Sequence, residues 1–222
     1  TVVICAFLVF QPDFGQACLI LFGWSVVYFV AGAQILLLIG VAAATIGLGS
    51  FAYTYSEHFA RRIDGFLSPD LDPKTQLGYA TNAIQEGGFF GVGVGEGQVK
   101  WSLPDAHTDF IIAVAAEEYG FVLVGLILAI YAAIVSISLA RLLRERDIFV
   151  RLAGTGLVCM FGIQAVINIG VAARLLPAKG MTLPFVSYGG SSLIAGGIAI
   201  GILLALTRSR PQKNVADIFI KG

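Results

Sequence analysis

Apolar runs separated by short polar breaks dominate the pattern of this chain. A helix needs about 20 apolar residues to cross the hydrocarbon core of a bilayer. The run at 119–140 would extend about 33 Å as a helix, which is a full span. Residues 1–10 are predicted to be the end of a span, and residues 17–31 are short for one. The apolar runs are 1–10, 17–31, 34–52, 119–140, 152–173 and 185–206.

The composition supports a membrane protein. Of the 222 residues, 57% are hydrophobic and 13% are charged, and the mean hydropathy is +0.86. A soluble domain is usually nearly half apolar and about one quarter charged. The 14 basic and 14 acidic residues balance, so net charge does not indicate nucleic acid. We therefore predict an all-α fold, a polytopic transmembrane helical bundle with no nucleic-acid partner.

The basic residues predict how the bundle is oriented, because short cytoplasmic loops are enriched in arginine and lysine. Residues 141–151 carry four arginines, and the tail at 207–222 carries three basic residues between 208 and 213. Both are expected to be cytoplasmic, which is consistent because two spans separate them. The polar segment at 53–108 then forms a large extracytoplasmic loop. Its eight acids, counted through Asp109, outnumber its four basic residues.

The start of the chain indicates a longer protein. Thr1 opens directly inside an apolar run, with no methionine and no basic segment of the kind that begins a signal peptide. We expect residues 1–222 to form one transmembrane domain that is the C-terminal portion of a longer protein.

Ionisable residues precede the 119–140 span in the segment LPDAHTDFIIA at 103–113. One interpretation is a helix N-terminus, with Asp105 or Thr108 as the cap and Asp109 near the positive end of the helix dipole. The other is a carboxylate held where lipid meets water and able to act as a general base. The two interpretations are compatible, and spacing alone does not decide between them.

The residues after Asp109 allow two structures. Because 119–140 is already a full span, residues 110–118 form either a helical extension above the membrane or the outer end of a tilted helix. Glu117 and Glu118 are costly if they face lipid, so we expect them to face water, a partner or a cavity.

Glycine is concentrated in two places. The segment EGGFFGVGVGEGQ at 86–98 is a poor candidate for dinucleotide binding, because it does not follow a strand of a βαβ unit. A flexible loop that lies over a site is the favoured interpretation. In the last apolar run Gly197 and Gly201 form a G-x-x-x-G pair, which predicts close contact with another helix.

Polar residues in and beside the 152–173 span are candidate ligand contacts. Gln164 and Asn168 lie four residues apart and share a helix face. They would either hydrogen-bond between helices or line a polar cavity. Arg174 and Lys179 follow the span and would either extend to the membrane interface or bind a phosphate group.

Four motifs in order resemble the SEDS family (shape, elongation, division and sporulation) of membrane proteins. They are QPDFG at 11–15, GVGVGEG at 91–97, LPDAHTDFIIAVAAEEYG at 103–120 and LLPAKGMTLPFVSYGGSSL at 175–193. The resemblance covers nearly the whole chain, and the forms GEG and KGMTLPF favour the division branch of the family over the elongation branch. It implies a bundle of about ten spans, of which roughly the first four precede this sequence.

The resemblance implies a peptidoglycan glycosyltransferase that polymerises lipid II at the outer face of the membrane. Asp109 matches the acid proposed as catalytic in the family, and it would remove a proton from the glycan acceptor. The reaction would invert the α-linked donor to a β-1,4 link, and cations would stabilise the leaving pyrophosphate. His107 would either orient the acceptor or cap the loop. The residues expected to bind substrate are Lys100, His107, Gln164, Asn168, Arg174, Lys179, Ser191 and Ser192.

The sequence departs from the family pattern at three positions. A basic residue often follows FG in the glycine loop, but Val92 stands here, so a phosphate contact must come from Lys100 or Lys179. Glu86 replaces the serine of a common SGG. Trp101 stands where some members carry an acid eight residues before the catalytic aspartate, which argues against a mechanism using that second carboxylate.

The resemblance also implies partners and a location. The expected partners are lipid II, a class B penicillin-binding protein transpeptidase, other divisome proteins and membrane lipid, with the protein at the septum in the bacterial cytoplasmic membrane. No cofactor is established. A divalent cation is an alternative for neutralising pyrophosphate, although no ligand cluster in the sequence identifies a metal site. The rival functions are a lipid II flippase, an elongation-type polymerase and a non-catalytic scaffold that recruits a transpeptidase.

Overall fold

The chain folds into α-helices joined by structured turns. The computed structural model describes residues 1–11, 13–68, 75–177 and 180–208. Within these ranges it contains eight α-helices and one short 3₁₀ helix, Val99–Trp101. The α-helices are α1 Val2–Phe10, α2 Phe14–Val30, α3 Ile35–Tyr55, α4 Glu57–Leu67, α5 Gln76–Gly87, α6 Ile111–Leu142, α7 Ile148–Ala172 and α8 Gly190–Thr207.

Among the described residues, four helices are long and apolar enough to cross a membrane: α3, α6, α7 and α8. This confirms the all-α polytopic fold. Helix α2 is a shorter apolar helix, as its 15-residue run predicted. Much of the large apolar surface on α3, α6 and α8 is exposed, as expected where lipid replaces water as the solvent.

Side-chain caps define several helix beginnings. Asp13 accepts a hydrogen bond from the Gln16 N–H at 3.1 Å and caps α2. Asp147 accepts from the Phe149 and Val150 N–H groups and caps α7. Short polar residues satisfy amides that have no partner inside the first turn of a helix.

The described residues of the 53–108 segment include regular helices. It holds α4 and α5, which begin at the side-chain caps Ser56 and Thr75. Helix α5 packs against α6, and its small residues Ala80 and Ala83 are fully buried there. The apolar stretches in this segment are too short for membrane spans. Their mixture of polar and apolar residues is typical of amphipathic surface helices.

Helix α6 is broken at Gly120, where φ is +72° and the backbone is not helical. Residues 111–119 form an outer segment, and residues 121–142 form the longer inner one. Neither alternative for residues 110–118 included this break, and their position relative to the membrane stays a prediction. Glycine is suited to this position because it adopts positive φ without steric cost.

The glycine loop at 88–93 fills the break in α6. The Gly88 carbonyl accepts from the Phe121 N–H at 3.0 Å, and the Val92 N–H donates to the Glu117 carbonyl at 2.9 Å. These bonds satisfy backbone groups that lost their helical partners at the break. Residues 88–93 therefore form a wedge that is hydrogen-bonded to both segments of α6. The expectation that the whole 86–98 segment is a flexible loop lying over a site stays a prediction.

The last helix differs from its prediction in two respects. Helix α8 begins at Gly190, so residues 185–189 belong to the preceding connection and not to the span. Gly197 and Gly201 have nothing within 4 Å of the position that a Cβ would occupy. The close helix contact predicted from G-x-x-x-G is therefore not made by any part of the chain that the structure describes.

Candidate functional site

The residues around Asp109 form a turn outside the helix. Asp105 has φ of +56°, and its carbonyl accepts hydrogen bonds from the Thr108, Asp109 and Phe110 N–H groups. Helix α6 begins two residues after Asp109, and its N-cap Phe110 makes no side-chain capping bond. The prediction that Asp105 or Thr108 caps this helix is wrong. Asp105 instead closes the turn that presents Asp109.

Three successive carbonyls of this turn are held by other parts of the chain. The His107 carbonyl accepts from the Tyr188 N–H at 2.9 Å. The Thr108 carbonyl accepts from the Ser187 hydroxyl at 2.5 Å. The Asp109 carbonyl accepts from the Asn168 side-chain amide at 2.9 Å. Because α7 and the connection before α8 both donate hydrogen bonds to the turn, the position of Asp109 is set by tertiary structure.

Asn168 and Gln164 both donate hydrogen bonds to backbone carbonyls of the connection before α8. The sequence predicted that they would hydrogen-bond between helices or line a polar cavity. The Asn168 amide group also donates to the Met181 carbonyl at 2.6 Å, and Gln164 donates to the Thr182 carbonyl at 3.0 Å. Asn168 is 2% exposed, and its Oδ1 has no hydrogen-bond partner among the described residues. The shared helix face was predicted correctly, and it serves to fasten the 181–188 connection to α7.

The Asp109 side chain is half-buried beside this connection. A Cβ on Gly180 would lie 3.2 Å from Asp109 Oδ2, so the backbone passes close to the carboxylate. Burial raises the pKa of Asp109 above its usual range, and the negative charge of Asp105 raises it further. A carboxylate with a raised pKa is a stronger base than one free in water, which suits proton abstraction.

Two predicted phosphate-binding cations are engaged with protein groups. Arg174 has φ of +56°, and its guanidinium donates to the Ser68 carbonyl at 2.6 Å. Lys100 forms a salt bridge with Glu118 and lies 5.4 Å from the Trp101 ring centroid. Lys179 lies outside the described residues. The contacts seen here place neither Arg174 nor Lys100 against the Asp109 carboxyl group.

Glu117 is fully buried, whereas the sequence predicted that it would face water, a partner or a cavity. Its carboxylate accepts from the Val99 N–H at 2.8 Å and the Lys100 N–H at 3.2 Å. These amides begin the 3₁₀ helix, whose free donors attract a negative group. A Cβ on Gly97 would fall 2.8 Å from the Glu117 carboxyl carbon, so the loop closes tightly over the acid. Glu117 therefore holds the segment before the Asp109 turn.

The remaining predicted site residues lie near the turn or beyond it. His107 is exposed within the turn, and its carbonyl contributes the bond to Tyr188. Ser191 is exposed in the first turn of α8, and the Ser192 hydroxyl donates to the Gly189 carbonyl at 3.0 Å. Substrate binding by these residues stays a prediction, as it does for the other candidates.

Sequence reasoning missed two residues that build the site. Ser187 is buried, accepts from the Leu183 N–H at 2.8 Å and bonds the turn through its hydroxyl. Tyr131, in the middle of α6, donates its hydroxyl to the Pro184 carbonyl. A serine in an apolar run and a tyrosine inside a span were the available signals, because each carries a polar group that must find a partner in the interior.

The described residues offer no ready-made metal site. They contain no group of three or more histidine, cysteine, aspartate or glutamate side chains that could hold an ion. The proposed divalent cation therefore stays an untested expectation.

Comparison with known proteins assigns a family to this arrangement. A family model described as cell cycle protein, covering FtsW, RodA and SpoVE, matches residues 1–212. The probable peptidoglycan glycosyltransferase FtsW of Caulobacter vibrioides is 44% identical over 207 residues, covering 93% of this chain and 53% of that protein. The stage V sporulation protein E of Bacillus subtilis is 37% identical, covering 93% of this chain and 58% of that protein. The chain thus spans about half the length of these curated relatives.

Two solved structures share the fold. A chain from a peptidoglycan synthase complex, described as coordinating polymerization and crosslinking, matches with a TM-score of 0.77 and 34% identity, covering 95% of this chain and 60% of that one. A mutant of the rod shape determining protein RodA from Thermus thermophilus matches with a TM-score of 0.63 and 32% identity, covering 95% of this chain and 55% of that one.

Proposed function

We propose, because this chain belongs to the FtsW, RodA and SpoVE family of cell cycle proteins, that it carries the catalytic base of a peptidoglycan glycosyltransferase of the FtsW type. The substrate would be lipid II, and the product a glycan strand. The similarity to curated FtsW proteins at 37–44% identity favours the division branch over the elongation branch.

The observation that carries this proposal is the fixed, half-buried carboxylate of Asp109. A general base must lie at hydrogen-bond distance from the proton that it removes, so its position has to be reproducible. Three tertiary hydrogen bonds to consecutive carbonyls limit the movement of the turn. Burial raises the pKa of Asp109, and the charge of Asp105 raises it further, so its carboxylate is a stronger base than one free in water.

The proposed reaction needs one base and a stabilised leaving group. Asp109 would accept the proton of a glycan hydroxyl as that oxygen attacks the donor sugar carbon. The bond from that carbon to the pyrophosphate oxygen would break on the opposite face, which inverts the α-linkage to a β-1,4 link. Cationic groups would stabilise the charge on the departing pyrophosphate. Lys179 and Arg174 are the candidates, with Arg174 released from the Ser68 carbonyl when substrate binds.

Partners and location follow from the same proposal. The neighbouring structure of a synthase complex supports pairing with a crosslinking enzyme, for which we propose a class B penicillin-binding protein transpeptidase. Other divisome proteins would gather with it at the septum in the cytoplasmic membrane. The positive-inside rule supports a cytoplasmic location for the arginine-rich residues 141–151. Asp109 lies beside the opposite end of α6, which would then face the outer side of the membrane.

A reconstitution with defined substrate tests the function. The full-length protein carrying this sequence is purified, alone and with its transpeptidase, and incubated with lipid II before the glycan products are separated on a gel. Glycan polymer is expected, and it should not form without the protein. Transport of fluorescent lipid II across vesicle membranes, with no polymer from either preparation, would instead identify a flippase and contradict the proposal.

A further inference from the structure

A polar cavity of about 890 Å³ opens at the end of the bundle opposite Asp109. It lies between the end of α6, the beginning of α7 and the end of α8. Its charged lining residues come from the last turn of α6, from the α6–α7 turn and from the first residue after α8. The lining residues are Arg141, Arg144, Glu145, Asp147, Phe149, Val150, Ala205, Leu206, Thr207 and Arg208.

The three arginines of this cavity are free to bind an anion. Within the part of the chain that the structure describes, Arg141, Arg144 and Arg208 form no salt bridge and no side-chain hydrogen bond. Arginines that serve only to balance nearby acids would be expected to pair with them. Here they lie exposed around a common space, so three guanidinium groups are available to a ligand.

The two acids of the cavity are already hydrogen-bonded to backbone amides. Glu145 accepts from the Arg146 N–H at 2.9 Å and the Asp147 N–H at 3.2 Å. Asp147 accepts from the Phe149 N–H at 2.9 Å and caps α7. The turn itself therefore occupies part of the hydrogen-bond acceptor capacity of both carboxylates. They therefore compete less for the arginines, and the lining keeps a net positive charge of one.

The apolar part of the lining identifies the kind of anion. Phe149 and Ala205 are exposed on the surfaces of α7 and α8, and Leu206 lies beside them. A soluble phosphate would gain nothing from these side chains. A phospholipid would place its phosphate among the arginines, which bind such groups through paired N–H donors, and its glycerol and first methylenes against the apolar wall.

We propose that this cavity binds the headgroup of an anionic phospholipid of the cytoplasmic leaflet. Basic pockets between transmembrane helices on the cytoplasmic side suit such lipids, since that leaflet carries a negative surface potential. The bound lipid would bridge α6, α7 and α8 at the end of the bundle remote from Asp109. This proposal rests on the predicted orientation of the helices and does not depend on the catalytic role of Asp109.

Native mass spectrometry of the full-length protein tests the proposal. The protein is released from detergent micelles with phosphatidylglycerol or with phosphatidylcholine of identical acyl chains, and the bound lipid is counted over a titration. Retained phosphatidylglycerol at concentrations where phosphatidylcholine is lost is expected. Each arginine near an anionic membrane surface contributes about a fivefold gain in binding. The double variant Arg141→Gln/Arg144→Gln should therefore weaken phosphatidylglycerol binding by about 25-fold.

Two further variants separate a built site from general charge. Arg208→Gln removes a lining arginine that lies just after α8, away from the α6–α7 turn, and should weaken binding by about fivefold. Arg146→Gln removes the same charge from the same turn, but Arg146 does not line the cavity and should leave binding unchanged. Equal retention of the two lipids by the wild-type protein would overturn the proposal. So would a loss in Arg146→Gln as large as that in Arg208→Gln.

Discussion

Ser187 provides a test of the claim that tertiary hydrogen bonds position Asp109. The change is Ser187→Ala, which removes a hydroxyl and leaves the backbone and the remaining side chain in place. That hydroxyl makes two bonds at once, accepting from the Leu183 N–H at 2.8 Å and donating to the Thr108 carbonyl at 2.5 Å. Both the connection before α8 and the Asp109 turn would lose a contact.

The magnitude follows from what the substitution leaves behind. Ser187 is 8% exposed and Leu183 is 1% exposed, so the abandoned N–H lies in the interior, shielded from solvent. An unsatisfied buried polar group costs about 1–3 kcal/mol, so the free energy of unfolding should fall by about that amount. A displacement of about 1 Å at a reacting group can cost about 100-fold in rate, so kcat should fall by about 10- to 100-fold.

The assay measures stability and catalysis on the same preparations. Thermal unfolding in detergent gives Tm, and polymerisation of lipid II at saturating substrate gives kcat and KM for the full-length protein. The fall should appear in kcat, with KM changed little, because Ser187 holds the turn and not the substrate. Ser187→Thr retains a hydroxyl and should recover much of the rate.

A serine outside the site is the matched control. Ser50 lies on α3, where its hydroxyl donates to the Ile46 carbonyl of the same helix at 3.0 Å. Ser50→Ala should change neither Tm nor kcat measurably. If Ser187→Ala retains the wild-type kcat, or if Ser187→Thr is as slow as Ser187→Ala, the turn is not positioned through this hydroxyl.

Two further predictions concern the wedge and the turn. Gly91→Ala should destabilise the protein by about 2–5 kcal/mol, because φ is +80° and the new Cβ would lie 2.1 Å from the Glu118 carbonyl oxygen. Gly125→Ala is the control, because nothing lies within 4 Å of the position that its Cβ would occupy. Equal Tm values for the two variants would contradict the role of the loop as a wedge. Asp105→Asn removes the negative charge that helps to raise the pKa of Asp109. The pKa of Asp109 should therefore fall in this variant. A general base loses activity as pH falls through its pKa, so the acid limb of the pH profile of kcat should move to lower pH. An acid limb that does not move would argue against Asp109 as the titrating base.

The spans were predictable because their signal is local. The length and hydropathy of each apolar run determine whether a helix can cross a bilayer, and α3, α6 and α7 appear close to their predicted positions. The beginning of α8 was misplaced by five residues, because FVSYG at 185–189 is as apolar as a helix. Residues 187 and 188 of this connection are hydrogen-bonded to the distant Asp109 turn. A local sequence pattern cannot predict those bonds.

The candidate site was predictable in its residue types but not in its contacts. Asp109 could be singled out as an acid at the membrane edge, and Asn168 as a polar residue within a span. The break in α6 depends on Gly120 meeting a loop about thirty residues earlier in the chain, at Phe89. Ser187 acts through Thr108, which is 79 positions away. Pairings at this separation are decided by tertiary packing, so spacing along the sequence cannot predict them.

The most direct measurement of the central claim is the polymerisation rate of Asp109→Asn in the purified full-length protein. Asparagine keeps the size of the side chain and removes its charge and basicity. General base catalysis contributes about 10²–10⁴-fold, so kcat should fall by about two to four orders of magnitude while expression, membrane insertion and Tm stay near wild type. An Asp109→Asn protein that polymerises lipid II at the wild-type rate would show that Asp109 only shapes the turn, and the catalytic assignment would fail.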